Sequence, residues 1–467
     1  MFSKTDSTLS CLWHNDVLQA LKDFVAIPSL SPGFDAAWEE HGYLQRAILQ
    51  AKSFAEKLLK DIHVEVLEAK GKSPLLFFEL PAFGEGSSKG DILFYGHLDK
   101  QPPAEGWSEG RAAFAPTVEG NTLYGRGAAD DGYSFYASLS IAKALEAGGV
   151  SHPRLFGVFE TGEESGSPDF DYWMRHLASR LKSVALVLVL DAGCLDYKRL
   201  CVTTNFRGVL SATLKVSVLR HGVHSGTASG IVPDSFMIAR NLLERLEESS
   251  SGKILDKAFY GEIPATRLKE VKEKAALIGS LENDFPWIGD SVLRSKNTEE
   301  MLLAQTWLPE LAVIGAAGLP DAATAGNVLR DSTSLRLSMR LPPTVNSSDA
   351  EKALQELLLT NPPFGAKVEL LDFSSFDGWD APEESPALAC EIQRASEEVF
   401  GAPAVYSGEG GSLSIFDTLE ETCPAAQFLL TGVLGPHSNA HGPDEALHLD
   451  YVENLCKALA RIVARLS

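Results

Sequence analysis

Apolar residues fall into two patterns along this chain. In the first, short runs are apolar almost without interruption: "DILFYG" (91–96), "RLFGVF" (154–159), "SVALVLVL" (183–190) and "AAQFLL" (425–430). Such runs predict strands of a sheet covered on both faces, because a half-exposed strand would alternate. Residues 134–149 have helical spacing closed by a glycine, and further helices are predicted near 36–59 and 450–466. Strands alternating with helices predict an α/β fold, a mostly parallel sheet sandwiched by helices.

In the second pattern, "LSATLKVSVL" (210–219) and "SLRLSMRL" (334–341) alternate apolar with polar, and "AKVELLDF" (366–373) closes the set. Pro233 opens a predicted helix to about 246, a second covers 350–359, and residues 251–310 are charged with helical spacing. Alternating strands with two helices predict an open-faced sheet with its helices on one side, a smaller α+β domain. Because the first pattern resumes afterwards, the expected organisation is a discontinuous first domain, residues 1–207 and 374–467, interrupted by an inserted second domain, residues 208–373.

Composition narrows the partners. The 63 acidic against 41 basic residues give a net charge of -22, which argues against nucleic acid and anionic membrane surfaces. No run approaches the ~20 apolar residues of a membrane span, and the start of the chain lacks the basic and apolar stretches of a secretion signal. Cys11, Cys194, Cys201, Cys390, Cys423 and Cys456 are scattered without a CxxC pair, so reduced thiols in a cytoplasmic protein are expected.

The chemistry gathers where the strands end. The first run is followed by His97 and Asp99, the second by Glu163 and Glu164, the third by Asp191, and the fourth by a loop carrying His437 and His441. Asp130 and Asp131 stand just before the 134–149 helix. Taken singly, each has an ordinary explanation: a loop histidine, an N-cap, a solvated acid. Together they place acids and imidazoles at the edge of the sheet where α/β proteins bind ligands, and such a cluster repels itself without a cation. Carboxylates and imidazoles without thiolates suit zinc, manganese or cobalt.

The ordered set "GHLD", "GRGAADD", "ETGEESGS", "DAG", "HSG" and "HGPDE" resembles the co-catalytic zinc peptidases and deacylases, the family of carnosinase, cytosolic non-specific dipeptidase, glutamate carboxypeptidase and succinyl-diaminopimelate desuccinylase. The likeness spans nearly the whole chain, and "EESGS" with "EGGS" looks closest to the dipeptidase branch. The resemblance implies two divalent metal ions, zinc first with manganese or cobalt as alternatives. His97 and Asp191 would hold one ion, Glu164 and His441 the other, and Asp130 would bridge them. His441 is chosen over His437 because three residues separate it from Glu445, as the family pattern requires. Asp99 would orient the histidine. Asp131 would help fix the bridge, next to a cis peptide frequent in the family. Glu163 would be the general base, acting on metal-activated water. His224 would stabilise the oxyanion, from the same chain or across a homodimer formed through the inserted domain. Arg340 would bind a substrate carboxylate, with Glu409, Gly411 and Ser412 lining the substrate pocket.

Two departures bear on these roles. The family usually reads Asp-Asp-Lys-Gly, where this chain has Gly132 and Tyr133 after the aspartates, which leaves open what supports that turn. Arg330 stands where the family often has proline, near Asn327. The function implied is hydrolysis of an amide bond in dipeptides or short peptides with a free C-terminal carboxylate. The alternatives are an N-acyl amino-acid deacylase or desuccinylase on the same site, and a non-enzymatic metal-binding relative. The presence of Glu163 and of all five ligand positions weighs against the last.

Overall fold

The computed structural model describes residues 2–84, 90–282 and 285–466. The chain divides into two compact units, one of Met1–Thr203, Ala381–Ser407 and Ile415–Ser467, the other of Thr204–Asp380 and Gly408–Ser414.

In the first unit the strands are β1 (His63–Ala69), β2 (Lys72–Leu80), β3 (Asp91–His97), β4 (Leu155–Glu160), β5 (Val184–Val189), the start of β6 (Cys201–Phe206, which runs on past Thr203) and β7 (Gln427–Leu430). They lie in the order β1-β2-β4-β3-β5-β7-β6. The centre is parallel: β4 with β3, β3 with β5, and β5 with β7. The flanks are antiparallel, β1 with β2, β2 with β4, and a single bridge between β7 and β6. The register sets His97 opposite Glu160 and Val189 opposite Leu430, so the carboxyl ends of the parallel strands share one edge.

The central strands are apolar throughout because both faces are buried. Ile92 and Phe94 of β3 join the main core with Phe135 and Leu139 of the Tyr133–Gly148 helix. On the opposite face Tyr95 meets Phe170 edge-on, ring centroids 5.4 Å apart. Each large apolar side chain so buried contributes about 1.5–3 kcal/mol. The predicted helix over 36–59 is broken at Gly42, whose φ of 64° suits glycine, leaving a short turn (Trp38–His41) and the helix Tyr43–Leu58. The strands β1 and β2 were not among the predicted elements.

The second unit holds a four-stranded antiparallel sheet in the order Glu310–Ala317, Ser332–Leu341, Gly208–Ser217, Lys367–Phe376. Gly208–Ser217 and Ser332–Leu341 alternate strictly between buried and half-buried positions, as the sequence pattern requires. The helices Ser235–Leu243 and Ser347–Leu359 supply Ile238, Leu242, Leu354 and Leu358 to the core with Leu214 and Leu337. Both helices begin at a side-chain cap, Asp234 accepting from the Met237 N–H and Asn346 from the Asp349 N–H.

Candidate metal centre

The carboxyl ends of β3, β4 and β5 deliver His97, the Glu163–Ser165 turn and Asp191, while Asp130 precedes the Tyr133–Gly148 helix and His441 lies beyond β7. Their ligand atoms converge. Asp130 Oδ1 is 3.1 Å from His97 Nε2, and its Oδ2 is 3.0 Å from His441 Nε2. His97 Nε2 also lies 3.7 Å from Asp191 Oδ2 and 3.7 Å from Glu163 Oε2, and His441 Nε2 lies 3.2 Å from Glu164 Oε2. Among the described residues three groups could each hold a cation: His97, Asp130 and Asp191; Asp130, Glu164 and His441; and His97, Glu163 and Glu164. Asp130 is shared by the first two, one oxygen turned to each imidazole. His437 belongs to none of these groups.

The electrostatics are those of an anionic pocket. Burial pushes Asp191 up to about 7, against the pull of His97 and with added repulsion from Asp130 and Glu164. Burial also lifts Glu163 well above the carboxylate range, although His97 opposes it. Asp130 goes the other way: burial would raise it, but hydrogen bonds from His441 and His97 hold it below its ordinary value. Hydrogen bonds to Asp130 and Glu164 push His441 up to about 10. Glu164 Oε1 is buried and has no hydrogen-bond partner. An orphaned carboxylate oxygen beside two imidazoles and further acids fits a divalent cation, which supplies the missing positive charge.

A second layer holds these groups in place. His97 Nδ1 faces acceptors, the main-chain oxygen of Asp99 at 3.2 Å and its Oδ1 at 3.4 Å, so the ring proton belongs on Nδ1 and Nε2 is the nitrogen turned to a cation. Asp99 also accepts from the Glu163 and Glu164 N–H groups, at 3.3 and 3.0 Å, and so orients the turn as well as the histidine. Asp131 Oδ2 accepts from the His97 N–H at 3.2 Å, an approach open because a Cβ at position 96 would lie 2.5 Å from that oxygen. The Asp130–Asp131 peptide is cis, and neither aspartate caps the following helix.

Several contributors were given no structural role by the sequence motifs, although Glu445 had decided the choice of His441. Glu445 accepts from the N–H groups of Gly127, Ala129 and Asp130 and from Arg126 Nη1 at 2.7 Å, while Arg126 Nη2 donates to the Gly442 carbonyl. This clamp joins the Asp130 turn to the His441 loop. Gln101 Nε2 donates to Glu164 Oε2 at 2.7 Å. Glu160, pushed up to about 8 mainly by burial, accepts from the Tyr95 and Ser167 hydroxyls. Arg126 stands inside "GRGAADD" and Glu160 opens "ETGEESGS", while Gln101 lies two residues past "GHLD"; their place in or beside a motif was their one available signal.

The remaining predicted residues belong to the second unit. His224 is exposed in the short strand Val223–His224, paired with Val328–Leu329. Arg340 Nη1 donates to Ser412 Oγ at 2.9 Å, and the Ser412 hydroxyl donates to the Arg207 carbonyl. Arg207 grips the same loop, its N–H on the Gly411 carbonyl at 2.9 Å and its Nε on the Gly410 carbonyl at 3.1 Å. Burial, and then the charge of Arg340, brings Arg207 down to about 10. Glu409 closes the strand Val405–Glu409.

An aspartate shared between two imidazoles, with further acids on either side and at the carboxyl edge of a parallel sheet, defines the class: a two-cation hydrolase centre on an α/β scaffold. The match to known proteins is more specific. Peptidase family M20/M25/M40 matches residues 93–465, and the chain belongs to this family of metallopeptidases. It is 25% identical over 379 residues to a cysteinylglycine-S-conjugate dipeptidase of Corynebacterium striatum, covering 80% of each chain. It is 26% identical over 422 residues to a Beta-Ala-His dipeptidase of Homo sapiens, covering 88% of this chain and 82% of the relative. The solved structure of human carnosine dipeptidase 1 shares the fold, with a TM-score of 0.77 at 22% identity, over 100% of this chain and 98% of that one. Among the described residues no helix is long and apolar enough to cross a membrane.

Proposed function

We propose that this chain hydrolyses the amide bond of dipeptides or short peptides bearing a free C-terminal carboxylate. The observation that carries the reading is Asp130, one oxygen within 3.1 Å of His97 Nε2 and the other within 3.0 Å of His441 Nε2. Asp130 would bridge two divalent cations, zinc first with manganese or cobalt as alternatives. His97 and Asp191 would complete one position, Glu164 and His441 the other. Bound there, the cations supply Lewis acidity, lowering the pKa of a water to about 7 and polarising the scissile carbonyl.

The chain's own groups then divide the work. Glu163 takes a proton from the attacking water at its carboxylate and returns it to the leaving amine. Its position beside His97, with its main-chain N–H on Asp99, aims it at the centre without committing it to the Asp130–His441 pair. Asp99 holds the His97 proton on Nδ1 and the Glu163–Ser165 turn in register with it. In the second unit Arg340, steadied by Ser412, receives the substrate carboxylate. Gly411 and Glu409 line the same subsite, with Glu409 meeting a substrate amino group. His224 stabilises the oxyanion.

The second unit serves as lid and dimerisation domain. Its edge strand Glu310–Ala317 exposes Val313 and Ile314, a pattern that suits pairing with a second copy. Sedimentation equilibrium tests this, and an active monomer would refute the homodimer. None of the six cysteines forms a disulfide, in keeping with a reducing, cytoplasmic setting. The deciding assay incubates the metal-loaded protein with a mixed library of dipeptides and N-acyl amino acids and identifies the products. Release of amino acids from the dipeptides is expected. Turnover of acyl amino acids alone would shift the assignment to a deacylase, and no turnover of either would overturn it.

A further inference from the structure

Lys100 is fully buried, which is rare for a lysine without a carboxylate partner. Its Nζ donates to three main-chain carbonyls, Phe24 at 2.8 Å, Val25 at 3.3 Å and Ile27 at 2.6 Å. The Leu18–Val25 helix ends here, where the Phe24 carbonyl also accepts from the Ile27 N–H and the Ile27 carbonyl from the Ser29 N–H, so Nζ adds a further bond to carbonyls at the close of the helix. Nζ also lies 4.0 Å from the centroid of the Phe24 ring. A neutral amine has two N–H groups for these three acceptors, whereas an ammonium has three.

The rest of the residue reaches the metal centre. Its main-chain oxygen accepts from the Ser31 N–H, and Ser29 Oγ donates to the Leu98 carbonyl. Ser31 Oγ accepts in turn from Ser165, in the turn that carries Glu163 and Glu164. The aliphatic stem fills the space beside Gly127, where a Cβ would lie 2.5 Å from Lys100 Cε. The Gly127 N–H donates to Glu445, which also holds the Asp130 N–H. Position 132 cannot give comparable support, because a Cβ there would lie 2.2 Å from Phe24 Cε1 and 2.6 Å from the Gly127 carbonyl oxygen.

We infer that Lys100 is a further positioning residue of the metal centre: it ties the end of the Leu18–Val25 helix to the His97–Asp99 segment and braces the Gly127–Asp130 turn, the support that Gly132 cannot supply. The inference rests on the two-cation reading of the site. A residue that merely capped the helix would add stability and leave cation binding alone.

The test is zinc affinity, measured by competition with a chromophoric chelator on the full chain, with circular dichroism confirming the fold. Wild type must bind two zinc ions; if it binds none, the two-cation reading fails and not this inference alone. K100M is expected to lose ~10-fold or more in the affinity of at least one ion, with kcat falling and KM moving less than about twofold. L9A, in the core of the Ser3–Leu12 helix, is the control: brought to the same fall in Tm, it is expected to keep wild-type affinity. K100Q, which retains part of the hydrogen bonding, is expected to fall between wild type and K100M and covers the case in which K100M does not fold. Unchanged affinity in either folded Lys100 variant, an equal loss in L9A, or failure of both Lys100 variants to fold would each overturn the inference.

Discussion

His97 and His441 flank the same aspartate, but the chain delivers them in opposite ways. His97 ends a central strand, its side chain wholly buried and its Nδ1 held by Asp99. His441 sits on a loop with its side chain 56% exposed and a φ of 64°, in a stretch where His437, Asn439 and Asp444 also have positive φ. That loop is fixed from outside: Arg126 donates to the Gly442 carbonyl, and Asp444 accepts from the Ser108 N–H and hydroxyl and pairs with Arg111 at 3.2 Å. One half of the centre is therefore preorganised by the core and the other by a latched surface loop. Two cation positions that share Asp130 should then differ in strength, the His97 side being the tighter.

The sharpest way to break this comparison is through Glu163, which lies 3.7 Å from His97 and stands outside the Asp130, Glu164 and His441 group. E163Q should lower kcat by about 10²–10⁴-fold, the range for losing a general base, while both metals stay bound by elemental analysis. A loss of metal instead would make Glu163 a ligand of the buried half. Next in size is the contrast between the histidines. H441A should retain one metal per chain, and H97A should lose both, with affinities falling about 10–100-fold or more; the reverse order would mean that the exposed half is the anchor.

The smallest effect is a pH dependence confined to the metal-free protein. Asp191 is raised to about 7 in the fold, against about 3.9 in an unfolded chain. The folded state thus binds the extra proton, so this contribution is complete below pH ~3.9 and is lost as pH rises through 7. His441, raised to about 10, adds a loss of the same sign above its unfolded value of about 6.5. Asp130, lowered, has the opposite sign and acts only at more acid pH. The Tm of the apo protein should therefore fall from about pH 4 to 7 and on toward 10, and saturating zinc should flatten the slope. A Tm that rises over that window would contradict the assignment.

Much of the first unit was legible because burial on both faces leaves continuous apolar runs, as in β3 and β5, and because parallel strands deliver the residues after each run to one edge. The flanking strands β1 and β2 were not legible. Several positions of His63–Ala69 are only half-buried, so its pattern mixes glutamates with valines. The motif residues could be picked out in order, but their geometry could not. Nothing in "GRGAADD" says that Asp130 and Asp131 leave the helix uncapped, that Glu164 keeps an oxygen without a partner, or that Arg126 crosses to Gly442. Lys100 was the least legible, because its role depends on carbonyls some 75 positions earlier in the chain.

The Glu445 clamp also sets an order in time. The carboxylate that gathers the N–H groups of Gly127, Ala129 and Asp130 lies 315 residues beyond Asp130, on the far side of the second unit in the chain. At ribosomal rates of about 5–20 residues per second, it emerges tens of seconds after the turn it must hold. Through most of that interval the nascent chain holds His97, Asp130, Glu164 and Asp191 but neither His441 nor the brace for Asp130. On the proposed assignment, the newborn protein cannot complete both cation positions until the segment carrying His441 and Glu445 docks.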